Sequence, residues 1–120
     1  MACILLIDDD ESILELLKIF LEQSEYDVIT ASDGEEGIRL YCQEHPDLVV
    51  TDIVMEPESG LNVIRELRTK FPLSRIIAMT GYNLDVLKEA QVLGANWTLY
   101  KPFAPGDLLV AIRGLLEEES

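Results

Sequence analysis

The chain has 120 residues, of which 48% are hydrophobic and 7% aromatic, and this length and composition predict a single globular domain, residues 1–120, rather than a disordered chain. Its 23 acidic and 9 basic residues give a formal net charge of −14, which opposes direct binding to nucleic acid or to an anionic membrane surface, because both need a basic patch. The longest wholly apolar run, 2–7, is too short to span a bilayer and lacks the basic flank of a signal peptide. Cys3 and Cys42 fit no metal-binding spacing, so we expect reduced thiols and a cytoplasmic location.

The first half of the chain predicts two strand–helix units. Residues 3–8 ("CILLID") form a buried strand, and 11–25 follow as a helix. The apolar stripe predicted for that helix is Ile13, Leu16, Leu17, Phe20 and Leu21. Residues 26–31 are less uniformly apolar, which is typical of a strand at the edge of a sheet. A second helix is predicted over 33–45, with Asp33 as its N-terminal cap.

The second half continues the same alternation. In chain order it predicts strand 47–52, helix 61–71, strand 75–81, helix 84–94, strand 97–101 and helix 105–119. Pro72 stops the first of these helices, and Pro105 suits the first turn of the last one. Ala104 stands where that last helix needs a cap and gives up about 1 kcal/mol relative to a good capping residue.

Five strands alternating with five helices predict an open α/β domain, in which a parallel sheet is covered by helices on both faces. Such sheets bind ligands at the carboxyl ends of their strands, where the strand order reverses. The strands here end in Asp8 and Asp9, Asp52, Thr80 and Lys101. Carboxylates placed this close together raise one another's pKa values unless a cation holds them, and their oxygens are the hard ligands that Mg²⁺ prefers.

Each of these residues also has a purely structural explanation. An acidic residue such as Asp9 or Asp10, or Ser12, could simply cap the first helix. Asp52 could be a turn residue, Thr80 a cap and Lys101 a surface lysine. The functional interpretation depends on all of them standing at the correct strand ends in order.

The segments "LLIDDDES", "PDLVVTDIVM" with the glycine that follows it, "AMTG" and "YKPF" together resemble the receiver domain of two-component response regulators, over essentially the whole chain. The resemblance implies a doubly wound, flavodoxin-like fold with a five-stranded parallel sheet of order 2-1-3-4-5 and helices on both faces. It also implies a phosphorylation-dependent signalling switch.

By the same resemblance Mg²⁺ is the cofactor. Its direct ligands would be Asp9, Asp52 and the backbone carbonyl of Val54, while Asp8 would act mainly through a metal-bound water. No other cofactor is expected.

Asp52 would be the phosphoacceptor, taking a phosphoryl group from a sensor histidine kinase, a phosphotransfer protein or a small phosphodonor. Lys101 would supply a second cation for the transferring group, and the Thr80 hydroxyl would donate to a phosphoryl oxygen. The resemblance thus implies self-phosphotransfer and autophosphatase chemistry on the chain's own aspartate, with no turnover of an external substrate.

The expected output is a change in the binding of an output domain or downstream protein. The family's usual contact face is formed by the last two helices and the fifth strand, and whether it forms a homodimer here stays open. Neither nucleic acid nor a membrane is expected as a direct partner of this chain.

Several positions test or depart from the family pattern. The resemblance predicts a cis Lys101–Pro102 bond. Glu56 precedes Pro57 where the family usually has proline directly after methionine, which leaves that loop undecided. Thr98 occupies the position of a switching aromatic residue, and the neighbouring Trp97 should point to the opposite sheet face. How the switch operates with Thr98 is left open.

Two further residues concern the lifetime of the phosphoryl group. Val54 cannot hydrogen-bond an attacking water, so slow self-dephosphorylation is predicted. Tyr82 would either shield the phosphate or only pack on its loop.

Three other classes of protein compete with this interpretation. A non-phosphorylated receiver-like interaction module would keep the fold without the chemistry, and the complete residue set counts against it. A flavin-binding electron carrier would need a Ser/Thr/Gly-rich phosphate loop after the first strand, where "DDDES" would repel phosphate. An aspartyl-phosphate hydrolase would need a cap or substrate pocket that this chain does not supply.

Overall fold

A parallel sheet forms the middle of three layers in the computed structural model, which describes residues 1–55 and 59–117. The strands are β1 (Cys3–Ile7), β2 (Asp27–Ala31), β3 (Leu48–Asp52), β4 (Ile76–Thr80) and β5 (Trp97–Tyr100). The helices are α1 (Glu11–Gln23), α2 (Gly34–Glu44), α3 (Gly60–Lys70), α4 (Leu84–Leu93) and α5 (Pro105–Glu117). These ten elements confirm the predicted alternation, with bounds that differ from the predicted ones by a few residues at most.

The strand order is β2-β1-β3-β4-β5, and all neighbouring strands are parallel. The predicted order and the edge position of β2 are therefore confirmed. From β1 the chain passes to β2 at one edge of the sheet. It then returns to β3 on the other side of β1, and β4 and β5 extend the sheet to the opposite edge. The order reverses between β1 and β3, so the crevice beyond their carboxyl ends is the expected binding position.

Strand side chains alternate between two buried clusters, one on each face of the sheet. Leu5 and Ile7 of β1 pack with α2, α3 and α4, whereas Ile4 and Leu6 pack with α1 and α5. Because both faces are covered, β1, β3 and β4 are apolar almost without interruption, as the sequence predicted for central parallel strands. No helix among the described residues is both long enough and apolar enough to cross a membrane.

The buried stripe of α1 differs from the predicted one. Leu14, Leu17 and Leu21 are its buried residues, while Leu16 is 60% exposed. The predicted set followed hydrophobicity alone, and it placed two adjacent leucines, Leu16 and Leu17, on one stripe. Adjacent residues lie about 100° apart on a helix, so Leu17 faces the sheet and Leu16 does not. Ile13 and Phe20 of the predicted stripe pack partly buried against the same cluster.

Side-chain caps fix where the helices begin. The Asp10 carboxylate accepts hydrogen bonds from the backbone N–H groups of Ser12 and Ile13, and Asp33 caps α2 as predicted. Ala104 gives α5 no side-chain cap, but the Asp107 carboxylate reaches back and accepts from the Ala104 N–H at 3.3 Å. Part of the missing cap is thereby supplied from within the helix.

Two backbone predictions concern the loops. The Lys101–Pro102 bond is cis, as predicted. The segment containing Glu56 and Pro57 lies outside the described residues.

Trp97 and Leu99 face α5, so the prediction that Trp97 and Thr98 point to opposite sheet faces is confirmed.

Arg68 of α3 joins four oxygen atoms near the amino ends of β4 and β5. Its guanidinium donates to the carbonyl oxygens of Pro72 and Ser74 at 2.6 and 2.8 Å. It also donates to the Gly94 carbonyl at 2.6 Å and to Asn96 Oδ1 at 3.0 Å. Pro72 and Ser74 follow α3 and Gly94 follows α4. Carbonyl groups at the end of a helix lack hydrogen-bond partners within the helix. One side chain therefore donates hydrogen bonds to oxygen atoms of both loops that lead into β4 and β5.

We expect Arg68→Met to lower the free energy of unfolding by about 2–3 kcal/mol, because two part-buried carbonyl oxygens and two exposed oxygens would lose a charged donor. Urea denaturation followed by circular dichroism measures this change. Arg65→Met is the matched control, since Arg65 is an exposed arginine on the same helix bonded to Asn62 Oδ1. Equal effects of the two substitutions would contradict the role given to Arg68.

Candidate functional site

The carboxyl edge of the sheet brings the predicted site residues together. Asp8 follows β1, Asp52 ends β3 and Thr80 ends β4, and all three are buried. Ligand oxygens of Asp8, Asp9 and Asp52 all lie within 4.8 Å of one another, with Asp9 exposed at the rim. The three carboxylates predicted to cluster do so.

Lys101 reaches into this cluster from the residue after β5. Its Nζ donates to Asp8 Oδ2 at 2.8 Å and lies 3.4 Å from Asp52 Oδ1. The shorter contact is a charge-assisted hydrogen bond, whereas the longer one is mainly an electrostatic attraction. Lys101 is thus the cation that offsets the two buried carboxylates.

The three successive aspartates have three different environments. Asp8 also accepts a hydrogen bond from the Asp10 N–H at 3.0 Å, so the turn after β1 holds its carboxylate in place. Asp9 faces solvent at the edge of the cluster, and Asp10 turns away to cap α1. The structural alternative considered from the sequence, a helix cap, is therefore correct for Asp10 only.

Burial sets the protonation behaviour of the site. The pKa of the Asp52 carboxyl is raised from 3.8 to about 6, first by desolvation and then by the charge of Asp8, while Lys101 opposes both. Burial likewise raises the pKa of Asp8, although the hydrogen bond from Lys101 lowers it in part. Burial alone would lower the pKa of Lys101, but its hydrogen bond to Asp8 and the charges of Asp52 and Asp8 raise it overall. A further positive charge would therefore stabilise the ionised carboxylates.

Thr80 carries a buried hydroxyl at the end of β4, and Tyr82 N–H donates to its Oγ1 at 3.2 Å. Gly81 lies between them, and a Cβ at that position would meet Lys101 Cβ at 3.1 Å. The chain after β4 therefore runs directly against the residue that carries the site lysine. A side chain at Gly81 would crowd Lys101.

Gly60 supports the site from behind. Its N–H donates to the Ile53 carbonyl at 2.7 Å, and a Cβ at residue 60 would collide with the Asp52 carbonyl oxygen. The sequence included this glycine in a motif but gave no reason for it. Only the close approach of α3 to β3 supplies that reason.

Two residues at the rim are exposed. Val54 is 45% exposed, and the Tyr82 side chain points to solvent. Val54 cannot form a hydrogen bond through its side chain, so whatever it does there is steric or through its backbone. The exposure of Tyr82 leaves little packing for it on its own loop.

The donor set fits a hard divalent cation. Oxygen atoms of three carboxylates lie close enough together to bind one ion. Two of these carboxylates are buried and one is open to solvent. Such an ion prefers carboxylate oxygens and retains waters. Asp9, the exposed member of the set, has room for water beside it.

A family model for the response regulator receiver domain matches residues 4–113. Among curated proteins, the alkaline phosphatase synthesis transcriptional regulatory protein PhoP of Bacillus subtilis is 39% identical over 114 residues, covering 94% of this chain and 48% of PhoP. The probable transcriptional regulator ycf27 of Porphyridium aerugineum is 38% identical over 113 residues, or 94% of this chain and 47% of ycf27. The chain spans about half the length of the curated relatives it matches.

Solved structures agree in fold over nearly the whole chain. A response regulator receiver domain protein from Clostridium thermocellum has a TM-score of 0.94 at 34% identity, covering 99% of this chain and 97% of that one. The response regulator TrrA from Thermotoga maritima, in complex with Mg²⁺ and BeF, has a TM-score of 0.89 at 34% identity. That match covers 96% of this chain and 99% of TrrA.

The raised pKa of Asp52 predicts a pH-dependent stability. A carboxyl that binds its proton more tightly when folded stabilises the fold below pH 3.8, and this contribution is lost as the pH rises through about 6. The difference corresponds to about 3 kcal/mol. Without divalent cations, Asp52→Asn should therefore be more stable than the parent above pH 6, and the gap should close towards pH 4.

Urea denaturation in EDTA from pH 4 to 8 measures this gap. Glu89→Gln removes an exposed carboxylate on α4 and serves as the control. An Asp52→Asn advantage that does not change with pH would contradict the prediction.

Proposed function

We propose that this chain, which belongs to the response regulator receiver domain family, is a phosphorylation-dependent signalling switch. Its Asp52 accepts the phosphoryl group. The observation that carries the proposal is the position of Lys101 Nζ, 2.8 Å from Asp8 and 3.4 Å from Asp52. A fixed cation beside a buried carboxylate is what a transferring phosphoryl group needs. We extend the proposal to residues 1–120 acting as one receiver domain.

Mg²⁺ is the cofactor that we propose for the acidic cluster. Asp9, Asp52 and the backbone carbonyl of Val54 would hold it, with Asp8 contributing through water. When bound, the ion neutralises charge on the carboxylates and on the transferring phosphoryl group. The buried and raised-pKa state of Asp8 and Asp52 supports this assignment, because a cation favours their ionised forms.

The proposed step is a transfer to an Asp52 carboxylate oxygen. That oxygen attacks phosphorus, a new O–P bond forms, and the P–N bond to the kinase or phosphotransfer-protein histidine breaks with its electron pair going to the imidazole. With a small phosphodonor such as acetyl phosphate, the P–O bond to the carboxylate leaving group breaks instead. Lys101 and the Thr80 hydroxyl are positioned at strand ends that flank Asp52, where they would bind the phosphoryl oxygens.

The same site would reverse the signal by hydrolysis. Water attacks phosphorus, the O–P bond to Asp52 breaks, and inorganic phosphate leaves. The chain's catalysis would therefore act on its own aspartate alone. A conformational change that alters partner binding would be the output.

The relatives' names include transcriptional regulators about twice as long as this chain. We propose a sensor histidine kinase or a phosphotransfer protein as the donor, and an output domain or downstream protein as the receiver of the signal. A homodimer through α4, β5 and α5 stays a prediction, as does the cytoplasmic location. How Thr98, half-buried on β5, takes part in the switch is not assigned.

Phosphorylation at Asp52 is tested by intact mass after incubation with acetyl phosphate and Mg²⁺. The parent should gain one phosphoryl mass, and EDTA should abolish the gain. Asp52→Asn should gain none, whereas the control Asp85→Asn, which removes an exposed aspartate of α4, should behave as the parent. A folded parent that gains no mass would overturn the proposed function in favour of a non-phosphorylated module.

Val54 should prolong the lifetime of the phosphoryl group. Val54→Asn places an amide that can orient water two residues from the acceptor. We expect hydrolysis about tenfold faster, less than the roughly 10²–10⁴-fold contributed by a proton-transferring group, because an amide orients water without taking its proton. The decay of the phosphorylated mass with time measures this rate. Val92→Asn, a similar change at an exposed position of α4, should leave the rate unaltered.

A further inference from the structure

A surface groove lies between α3 and α4, which cover one face of the sheet while α5 covers the other. The groove has a volume of about 320 Å³ and is lined by Leu61, Arg65, Lys88, Glu89, Val92 and Leu93. Val92 is 86% exposed, although it stands beside two other apolar side chains. Apolar side chains gathered at a surface groove indicate an interaction site more strongly than scattered ones.

Both walls of the groove combine an apolar and a basic side chain. On α3, Leu61 and Arg65 are four residues apart, so they lie on the same side of the helix. On α4, Lys88 and Val92 have the same spacing. An element lying in the groove would therefore meet apolar surface and a positive charge on each side.

The two basic side chains of the groove are not neutralised by the protein itself. Arg65 Nη1 donates to Asn62 Oδ1 at 3.0 Å, and this acceptor is uncharged. Within the part of the chain that the structure describes, neither Arg65 nor Lys88 forms an ion pair with a carboxylate. Lys70, at the end of the same helix α3, does pair with Glu66 at 2.9 Å. The groove thus presents two positive charges without a negative partner.

This local charge is opposite in sign to that of the chain, which carries −14. Salt screens exposed charges beyond about 8 Å at physiological ionic strength, so a segment in the groove responds mainly to the charges that line it. Two of these, Arg65 and Lys88, are positive, and one, Glu89, is negative. The groove therefore favours carboxylates placed opposite Arg65 and Lys88, and Glu89 disfavours a segment that is acidic along its whole length.

We infer that the α3–α4 groove docks an acidic amphipathic helix of a protein partner, with apolar side chains against Val92 and carboxylates at Arg65 and Lys88. Amphipathic helices bind grooves of this kind through apolar residues spaced three and four apart. None of the acidic-site residues lines the groove, so the inference goes beyond the proposed phosphoryl transfer.

The docking is tested on the unphosphorylated chain with a fluorescein-labelled synthetic helix of about 18 residues, long enough to be helical in water. Its leucines are spaced three and four apart, and its flanking positions are glutamates. Anisotropy gives the affinity, and the amide signals of ¹⁵N-labelled protein locate the contact. The signals of Leu61, Lys88 and Val92 should shift, whereas that of Lys18 on α1 should not.

Substitutions in the groove separate its apolar part from its charge. Val92→Asp places a carboxylate against the peptide's leucines and should weaken binding about tenfold or more. Val110→Asp is the matched control, because Val110 is an exposed valine of α5 that does not line this groove. Lys88→Gln should weaken binding about threefold, as expected for one exposed ion pair, and Lys18→Gln should leave it unchanged.

Two altered peptides test the chemistry of the occupant. Serine in place of leucine should abolish binding, and glutamine in place of glutamate should weaken it about tenfold, since two ion pairs would be lost. Equal affinity of the glutamate and glutamine peptides would overturn the acidic character that we infer.

Three further results would overturn the docking itself. They are a parent that does not bind the peptide, equal affinities of Val92→Asp and Val110→Asp, and a dimer in analytical ultracentrifugation that only Val92→Asp dissolves. The last result would make a second copy the occupant. Asp52→Asn should bind the peptide as the parent does, so a failure here is distinguishable from a failure of the phosphoryl transfer.

Discussion

Two carboxylates buried at the end of a parallel sheet stay ionised only if a cation stands beside them. Asp8 and Asp52 end neighbouring strands, and desolvation raises the pKa of both. Lys101 meets this need from the far side of β4, through a hydrogen bond of 2.8 Å to Asp8. The sheet order, the close passage of the chain at Gly81 and the packing behind Gly60 all serve to bring this lysine and these acids together.

At the opposite edge of the sheet a basic side chain again holds several oxygen atoms. There Arg68 gathers carbonyl and amide oxygens from the loops that lead into β4 and β5. Each end of the sheet thus uses one basic side chain to hold several oxygens. The chemical difference is that the oxygens at Arg68 are neutral, whereas those at Lys101 belong to ionisable carboxylates. The first arrangement stabilises the fold, and the second leaves a site able to respond.

That contrast explains why an acidic chain of this kind suits a reversible modification. Adding a phosphoryl group at Asp52 would change charge where the balance between carboxylates and lysine is tightest, so neighbouring groups such as Thr80 would have to rearrange.

The sequence by itself determined the alternation of elements, the sheet order implied by resemblance and the identity of the clustered residues. Strand ends can be located from the apolar runs, and parallel strands must place those ends at one edge. Tertiary structure alone decided how the three aspartates divide, because Asp8, Asp9 and Asp10 are chemically identical and only the turn after β1 directs each one. It also decided which leucines of α1 are buried, why Gly60 must lack a side chain and how Arg68 joins two loops. The positions of Gly60 and Arg68 depend on contacts with other elements of the fold, which local pattern cannot encode.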